Sequence, residues 1–339
     1  MIKIDGSQGE GGGQILRTSL ALAIVTRQPI LIENIRAKRD KPGLRRQHLM
    51  AVQAAARISG GKLSGDTLGS RELRFEPVAV QAGEYKFNIG SAGSTTLVLQ
   101  TILPPLLIVE GRSTIELVGG THNPFAPPVD FLERAFLPLV NRLGPRVALT
   151  LERPGFYPAG GGRLRVEIEP ASRLAPIEIV ERGEIRSRRC RATVSNLPDH
   201  IADRELAAVA AALDWPEECL EVRRYHERNF GPGNIVTIEV ESEHVTEVFT
   251  GFGRRGVPAE TVAGEAAAEA KRYLEAGVPV AEHLADQLLL PLALAGGGAY
   301  VTLAPTPHAM TNIEIIRKFL DVPIAVEQQT DRRWKIGIG

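Results

Sequence analysis

Two segments hold side chains that could act on phosphorus. In TPHAMTNIEII, His308 directly follows a proline loop and opens an apolar-periodic run, the pattern of a helix start. A helix N-terminus favours a neutral, nucleophilic imidazole, and its backbone N–H groups can face developing phosphoryl charge. A lone histidine at a helix start is more often an ordinary surface residue. In DGSQGEGGGQILR, a glycine turn leads into a helix whose first amides could hold phosphate. Glu10 stands inside that turn. A carboxylate there repels phosphate unless a divalent cation lies between them; otherwise it is a helix-start acid favoured by the dipole. The turn matches neither GxGxxG with a distal acid nor GxxxxGK[ST], so Rossmann and P-loop nucleotide binding are both excluded.

Three further segments offer ligand contacts. Residues 36–48 set Arg36, Lys38, Arg39, Lys41, Arg45 and Arg46 against one acid, Asp40, and end in Gln47 and His48. Such a run at a helix start suits a phosphorylated end, or is a solvated charged face. The small-residue turn of GSAGSTTLVLQ (90–100) reads as backbone packing, and Gln100 falls about three turns into the helix that follows. In HLADQ (283–287), Asp286 and Gln287 stand side by side in an apolar helix. Burying them is costly without partners, so they bind a polar ligand or cap neighbouring loops. No GxSxG, HExxH or reactive-cysteine context occurs. His122, His200, His226 and His244 lack ligand spacing, so no structural zinc is expected.

The elements that must position these residues repeat. Residues 5–35 run glycine turn, apolar helix, strand; residues 89–118 repeat that order, and Gly6 and Gly90 lie 84 residues apart. In both copies a proline loop, a helix (44–58, then 128–142) and closing strands follow. That period is too long for a solenoid and fits βαβαββ units. A third copy opens at APIEIVERG, yet its helix arrives only at AEHLADQLLLPLALAG (281–296). Residues 183–278 therefore read as a smaller α/β domain inserted into the third repeat of a large domain, 1–182 plus 279–339. The fold class expected is α/β (α+β).

Composition adds bounds. The 339 residues are 43% hydrophobic and 24% charged, ordinary for a globular protein. No apolar run approaches the roughly 18 residues of a membrane span, and the N-terminus lacks the pattern of a secretory signal, so a cytoplasmic location is expected. The formal net charge of zero does not demand a nucleic-acid partner. Cys190 and Cys219 form no CxxC pair, and a disulfide between them is not expected in a reducing compartment.

Together DGSQGEGGGQILR, RAKRDKPGLRRQH, GSAGSTTLVLQT, GFYPAGGG (155–162), GPGN, HLADQLLLPLALAG and the His308 segment resemble the RNA 3'-terminal phosphate cyclase family along essentially the whole chain. The resemblance implies an ATP-dependent enzyme that forms a covalent histidine–AMP on His308. It then activates an RNA 3'-phosphate end and closes a 2',3'-cyclic phosphate. It implies Glu10 as the ligand of Mg²⁺ or Mn²⁺, and Arg17, Arg36, Arg39, Gln47 and His48 as contacts to the RNA end and its phosphate. Gln100, Pro127, Phe249, His283, Leu284, Ala285, Asp286 and Gln287 become the nucleotide pocket. His283 stands where the family often has tyrosine. ATP and RNA ends are the expected partners, with no membrane and a homodimer left open. A non-catalytic relative acting in ribosomal RNA processing is the alternative, although such relatives lack the nucleophile. An enolpyruvyl transferase, built on a similar unit, is a second.

Overall fold

A computed structural model describes residues 1–225 and 231–339; His226 lies outside them. The chain opens with β1 (Ile2–Asp5), α1 (Gly13–Thr26), β2 (Ile30–Glu33), α2 (Arg46–Ser59), β3 (Lys62–Ser64) and β4 (Leu73–Glu76). The second unit is β5 (Glu84–Asn88), α3 (Thr95–Leu106) and β6 (Ser113–Gly119), then α4 (Val129–Phe131), which runs through a π turn at Leu132–Phe136 into α5 (Leu137–Arg142). It closes with β7 (Arg146–Arg153) and β8 (Gly162–Glu169). Both units are βαβαββ, and their sheets share one order, β1-β2-β4-β3 and β5-β6-β8-β7. In each, the first two strands are parallel and the rest antiparallel.

The third unit begins with β9, only Glu178–Ile179, and is then interrupted. β10 (Ile185–Ser195), α6 (His200–Leu213), β11 (Leu220–Tyr225), β12 (Gly233–Ser242), β13 (Thr246–Phe252) and α7 (Ala259–Ala276) intervene. α8 (Glu282–Ala295), β14 (Gly298–Thr302), α9 (Pro307–Arg317), β15 (Ile324–Thr330) and β16 (Arg333–Ile338) complete the unit. Its sheet, read from β9, is β9-β14-β16-β15, the same order again. The inserted strands form their own sheet, β11-β10-β12-β13, with α6 packed on α7. Gln100 is the sixth residue of α3, under two turns in rather than three, because the helix starts only after its cap, Ser94.

Burial explains these elements. α1 is apolar nearly all round, and ten of its residues from Gln14 to Ile24 are buried; it packs against α2, α3 and α9. Helices apolar on every side belong in a core, so α1 is the hub against which α2, α3 and α9 are packed. One apolar cluster, from Ile4 to Ile338, runs through all three βαβαββ units. A second, holding Trp215, Phe249 and Tyr273, fills the insert. Cys190 is buried, Cys219 partly so, and both are free. No helix among the described residues is long and apolar enough to cross a membrane.

Where insert and third unit meet, buried Glu247 of β13 accepts a hydrogen bond at 2.6 Å from the backbone N–H of Ala281, the residue capping α8. Burial pushes its carboxyl pKa up to about 8, against the bonds from Ala281 and Val248. The folded carboxyl holds its proton up to that pH, while the unfolded one releases it near 4.5. The folded state therefore binds more protons between pH 4.5 and 8, and stability falls as pH rises through that window. Glu247→Gln keeps the acceptor for Ala281 and removes the charge. Thermal melts of this variant should match wild type near pH 4.5 and lie about 2 °C or more higher at pH 8.

Candidate active site

The helix starts and inner turns of the first and third units converge on His308. It is the second residue of α9, after Pro307, and Thr306 caps the helix by accepting from Ala309 N–H at 3.1 Å. Its imidazole bonds through Nδ1 to Gln14 Oε1. Gln14 Nε2 in turn donates to Asp286 Oδ1 at 2.6 Å. Because the amide nitrogen is spent on Asp286, its oxygen faces His308 as an acceptor, and Nδ1 is the protonated nitrogen. Nε2 lies on the other side, 2.6 Å from Glu10 Oε2, a distance that requires a proton between the two atoms, so the Nε2 lone pair is free only once Glu10 has turned away. Both side chains remain partly exposed, at 45% and 32%.

Asp286 is the anchor beneath this line. Asn312 Nδ2 donates to its carboxylate at 3.1 Å and its backbone carbonyl at 3.2 Å, and Thr18 Oγ1 donates to Asn312 Oδ1 at 2.9 Å. Burial raises the Asp286 pKa, partly offset by Gln14, His308, Asn312 and Arg17. Next to it on α8, Gln287 donates to Asp286 Oδ2 at 3.3 Å and accepts from Gln100 Nε2. Gln14, Thr18 and Asn312 were not singled out in the sequence. Gln14 is contained in the glycine motif, and Asn312 lies four residues after His308, on the same helix face.

The basic segment wraps the other flank. Arg39 Nη2 reaches Glu10 Oε2 at 3.5 Å, and Lys38 Nζ donates to the Gly9 carbonyl at 2.9 Å. Arg17 and His48 crowd Gly13 so closely that a Cβ there would meet His48 Nε2 at 2.6 Å and Arg17 Nη1 at 2.8 Å. Burial brings the Arg17 pKa down to about 10 against the pull of Asp286, so it stays charged at neutral pH. For His48, burial and then Arg17, Arg36 and Arg45 push the pKa down to about 3. It is a neutral donor, not a cation, with Nδ1 accepting from Arg45 N–H at 3.2 Å. Burial, Arg45 and Arg39 lower the Arg36 pKa as well. Arg36, Lys38, Arg39, Lys41 and Arg45, with Asp40, line an open cleft of about 430 Å³. Gln47 instead accepts from Ser94 N–H at 3.1 Å, fastening α2 to the second unit's small-residue turn.

Other expected pocket residues lie apart. Phe249 is buried in the insert's core, 5.4 Å from the Tyr273 ring, because β13 turns it toward α7. Leu284 and Ala285 are buried in the main core on the inner side of α8. His283 is largely exposed on the opposite side, with Glu269 of α7 at 4.0 Å. Pro127 is half-buried in the loop before α4. Among the described residues no three His, Cys, Asp or Glu side chains gather into a metal cage. Glu10 is the carboxylate at the exposed imidazole edge. One carboxylate completed by phosphate oxygens and water is how Mg²⁺ is commonly held, so Glu10 fits that mode.

Comparison with known proteins completes the picture. The family described as RNA 3'-terminal phosphate cyclase matches residues 8–326. Proteins named RNA 3'-terminal phosphate cyclase are 52% identical in Koribacter versatilis (97% of this chain, 92% of that protein) and 51% identical in Ralstonia nicotianae (97% and 94%). One in Ectopseudomonas mendocina is 48% identical (98% and 96%). A solved structure of EPSP synthase from Acinetobacter baumannii, 13% identical, overlaps with a TM-score of 0.29 over 96% of this chain and 61% of that one, which decides nothing. With half of its residues shared end to end with these relatives, the chain belongs to the RNA 3'-terminal phosphate cyclase family.

Proposed function

We propose that this protein is an ATP-dependent RNA 3'-phosphate cyclase of the AMP-forming ligase class. The observation that carries the reading is the line His308–Gln14–Asp286, which fixes one imidazole tautomer and directs Nε2 to the exposed side of the site. In this reading residues 1–182 and 279–339 form the catalytic body and 183–278 the insert.

The chemistry follows from those groups. With Glu10 turned away and the proton between them left on its carboxylate, the Nε2 lone pair of His308 attacks the α-phosphorus of ATP; the bond to the bridging oxygen breaks and pyrophosphate leaves. An oxygen of an RNA 3'-phosphate then displaces the imidazole, regenerating His308 and leaving the RNA end joined to AMP. The adjacent ribose 2'-hydroxyl attacks the 3'-phosphorus, loses its proton and expels AMP, closing the 2',3'-cyclic phosphate. Splitting one condensation into displacements of good leaving groups is nucleophilic catalysis. Gln14 orients the nucleophile, and Asp286, held by Asn312, orients Gln14. Arg39 at Glu10, Arg17 at Gly13 and Arg36 in the cleft offer positive charge along this flank to the phosphate of the RNA end. Neutral His48 adds a single N–H. Mg²⁺ or Mn²⁺ on Glu10 would supply charge neutralisation of the triphosphate. Gln100 and Gln287 form a pair suited to reading a base edge.

Two measurements test this. Incubation with ATP labelled at the α-phosphate and Mg²⁺ or Mn²⁺ should give an acid-labile, alkali-stable adduct, discharged by 3'-phosphorylated RNA and missing in His308→Ala. Wild type without label would refute the nucleophile assignment. In Gln14→Ala, single-turnover adduct formation should slow by about 10- to 100-fold through lost tautomer and orientation control. The ATP concentration at half-maximal rate should move by less than about threefold, because Gln14 acts through His308 and not on the nucleotide.

A further inference from the structure

Two unfavourable features coincide at Phe125, in the loop before α4. Its side chain is fully exposed, at 103% of the reference surface, and its backbone sits in the left-handed region at φ 62°. Large aromatic rings are normally at least partly buried, and a residue bearing a Cβ is disfavoured in that region. Fold stability accounts for neither, and backbone strain of this kind gathers at ligand sites. Among the described residues one other large aromatic is exposed, Tyr157 in the GFYPAGGG loop, at 64%.

The two loops are locked together. His122 and Phe156 form a parallel bridge and their rings stack at 4.9 Å. Thr121 N–H donates to the Gly155 carbonyl at 2.8 Å, and Thr121 Oγ1 accepts from Gly155 N–H at 2.9 Å. Both loops also rest on the 90–93 turn. Asn123 Nδ2 donates to the Ala92 carbonyl at 2.5 Å, and a Cβ at Gly160 would come within 2.7 Å of Ala92 Cα. On that same turn Arg46 Nη1 donates to the Gly90 carbonyl at 2.8 Å, while its neighbour Arg45 lines the basic cleft. The aromatic loops thus share a floor with the cationic segment that leads through His48 and Gly13 toward His308.

We propose that Phe125 and Tyr157 form a stacking platform for the bases of single-stranded RNA just upstream of its 3'-phosphate, with the backbone phosphates following the arginine- and lysine-lined cleft. The proposal rests on the RNA-end reading above. Five cations against one acid in the cleft complement a polyanion. Exposed rings beside such a groove are how single strands are held without base preference. Two rigid loops fastened to one turn would keep the rings in place as the strand arrives.

The test is equilibrium binding of a fluorescent 3'-phosphorylated oligoribonucleotide, without ATP. Phe125→Ala and Tyr157→Ala should each weaken binding by about tenfold, and Phe125→Trp should retain it. Since both side chains point to solvent, melting temperatures should not change. An oligonucleotide made abasic at the two positions before its terminal nucleotide should bind wild type as weakly as the intact strand binds Phe125→Ala, with no further loss when the two are combined. Unchanged affinity in both alanine variants overturns the proposal. Loss of the AMP adduct in Phe125→Ala would assign the ring to the nucleotide and overturn it as well. If wild type forms no adduct yet these binding differences hold, the cyclase reading falls and the platform stands.

Discussion

A buried carboxyl on one helix sets the geometry of everything around it. Asp286 sits inside α8, where its charge is costly, and it is tolerated because α1 supplies Gln14 and α9 supplies Asn312 as donors. Those bonds join the first and third units at the depth of the core. They also decide which way the Gln14 amide points, and through it which nitrogen of His308 carries the proton. Removing one partner would leave a polar group buried and unsatisfied, which is worse than removing all of them. The site is therefore rigid where it is buried and adjustable only at its rim, where Glu10 and the basic segment lie.

The surrounding charge is graded by burial. Arg17 is the cation nearest the core and keeps its proton, whereas His48 beside it loses its own, since burial and three neighbouring guanidinium groups all oppose imidazolium. Farther out, Arg39 and Lys38 face Glu10 and its turn from an open cleft. The cations of this flank thus run from exposed ones in the cleft to a buried one at Gly13.

Much of the fold was legible in the sequence, for a physical reason. Each βαβαββ unit is announced by local signals, namely a glycine turn, an apolar helix, a proline loop and alternating strands. The interruption of the third unit followed from a helix that arrived late. What escaped was set by contacts distant in sequence. β9 shrinks to two residues and β3 to three because edge pairing limits them, and β11 lacks the clear alternation that marks a half-buried strand. Glu10 and His308 could be marked as candidates from their turns, with the family resemblance lifting them above a helix-start acid and a surface histidine, and Asp286 because it is polar in an apolar helix. Gln14 could not be assigned a role, because its partner Asp286 is 272 positions away. Phe249, which the resemblance assigns to the nucleotide pocket, is enclosed by the insert's own core.

The three units also place their second helices alike, and their beginnings differ in an instructive way. His48 is the third residue of α2, Asp130 the second of α4 and His308 the second of α9. His48 is sealed in. Burial would raise the Asp130 carboxyl, yet His122 and Arg191 outweigh it and hold the group ionised. Only at His308 is the side chain open to an incoming molecule. The sixth residues of the inner helices follow suit as Thr18, Gln100 and Gln287, all polar within otherwise apolar surroundings. A backbone of nearly threefold pattern thus leaves one of these positions open and encloses the other two. The differences among the copies reside in a few side chains, so what distinguishes these positions could be exchanged without redrawing the fold.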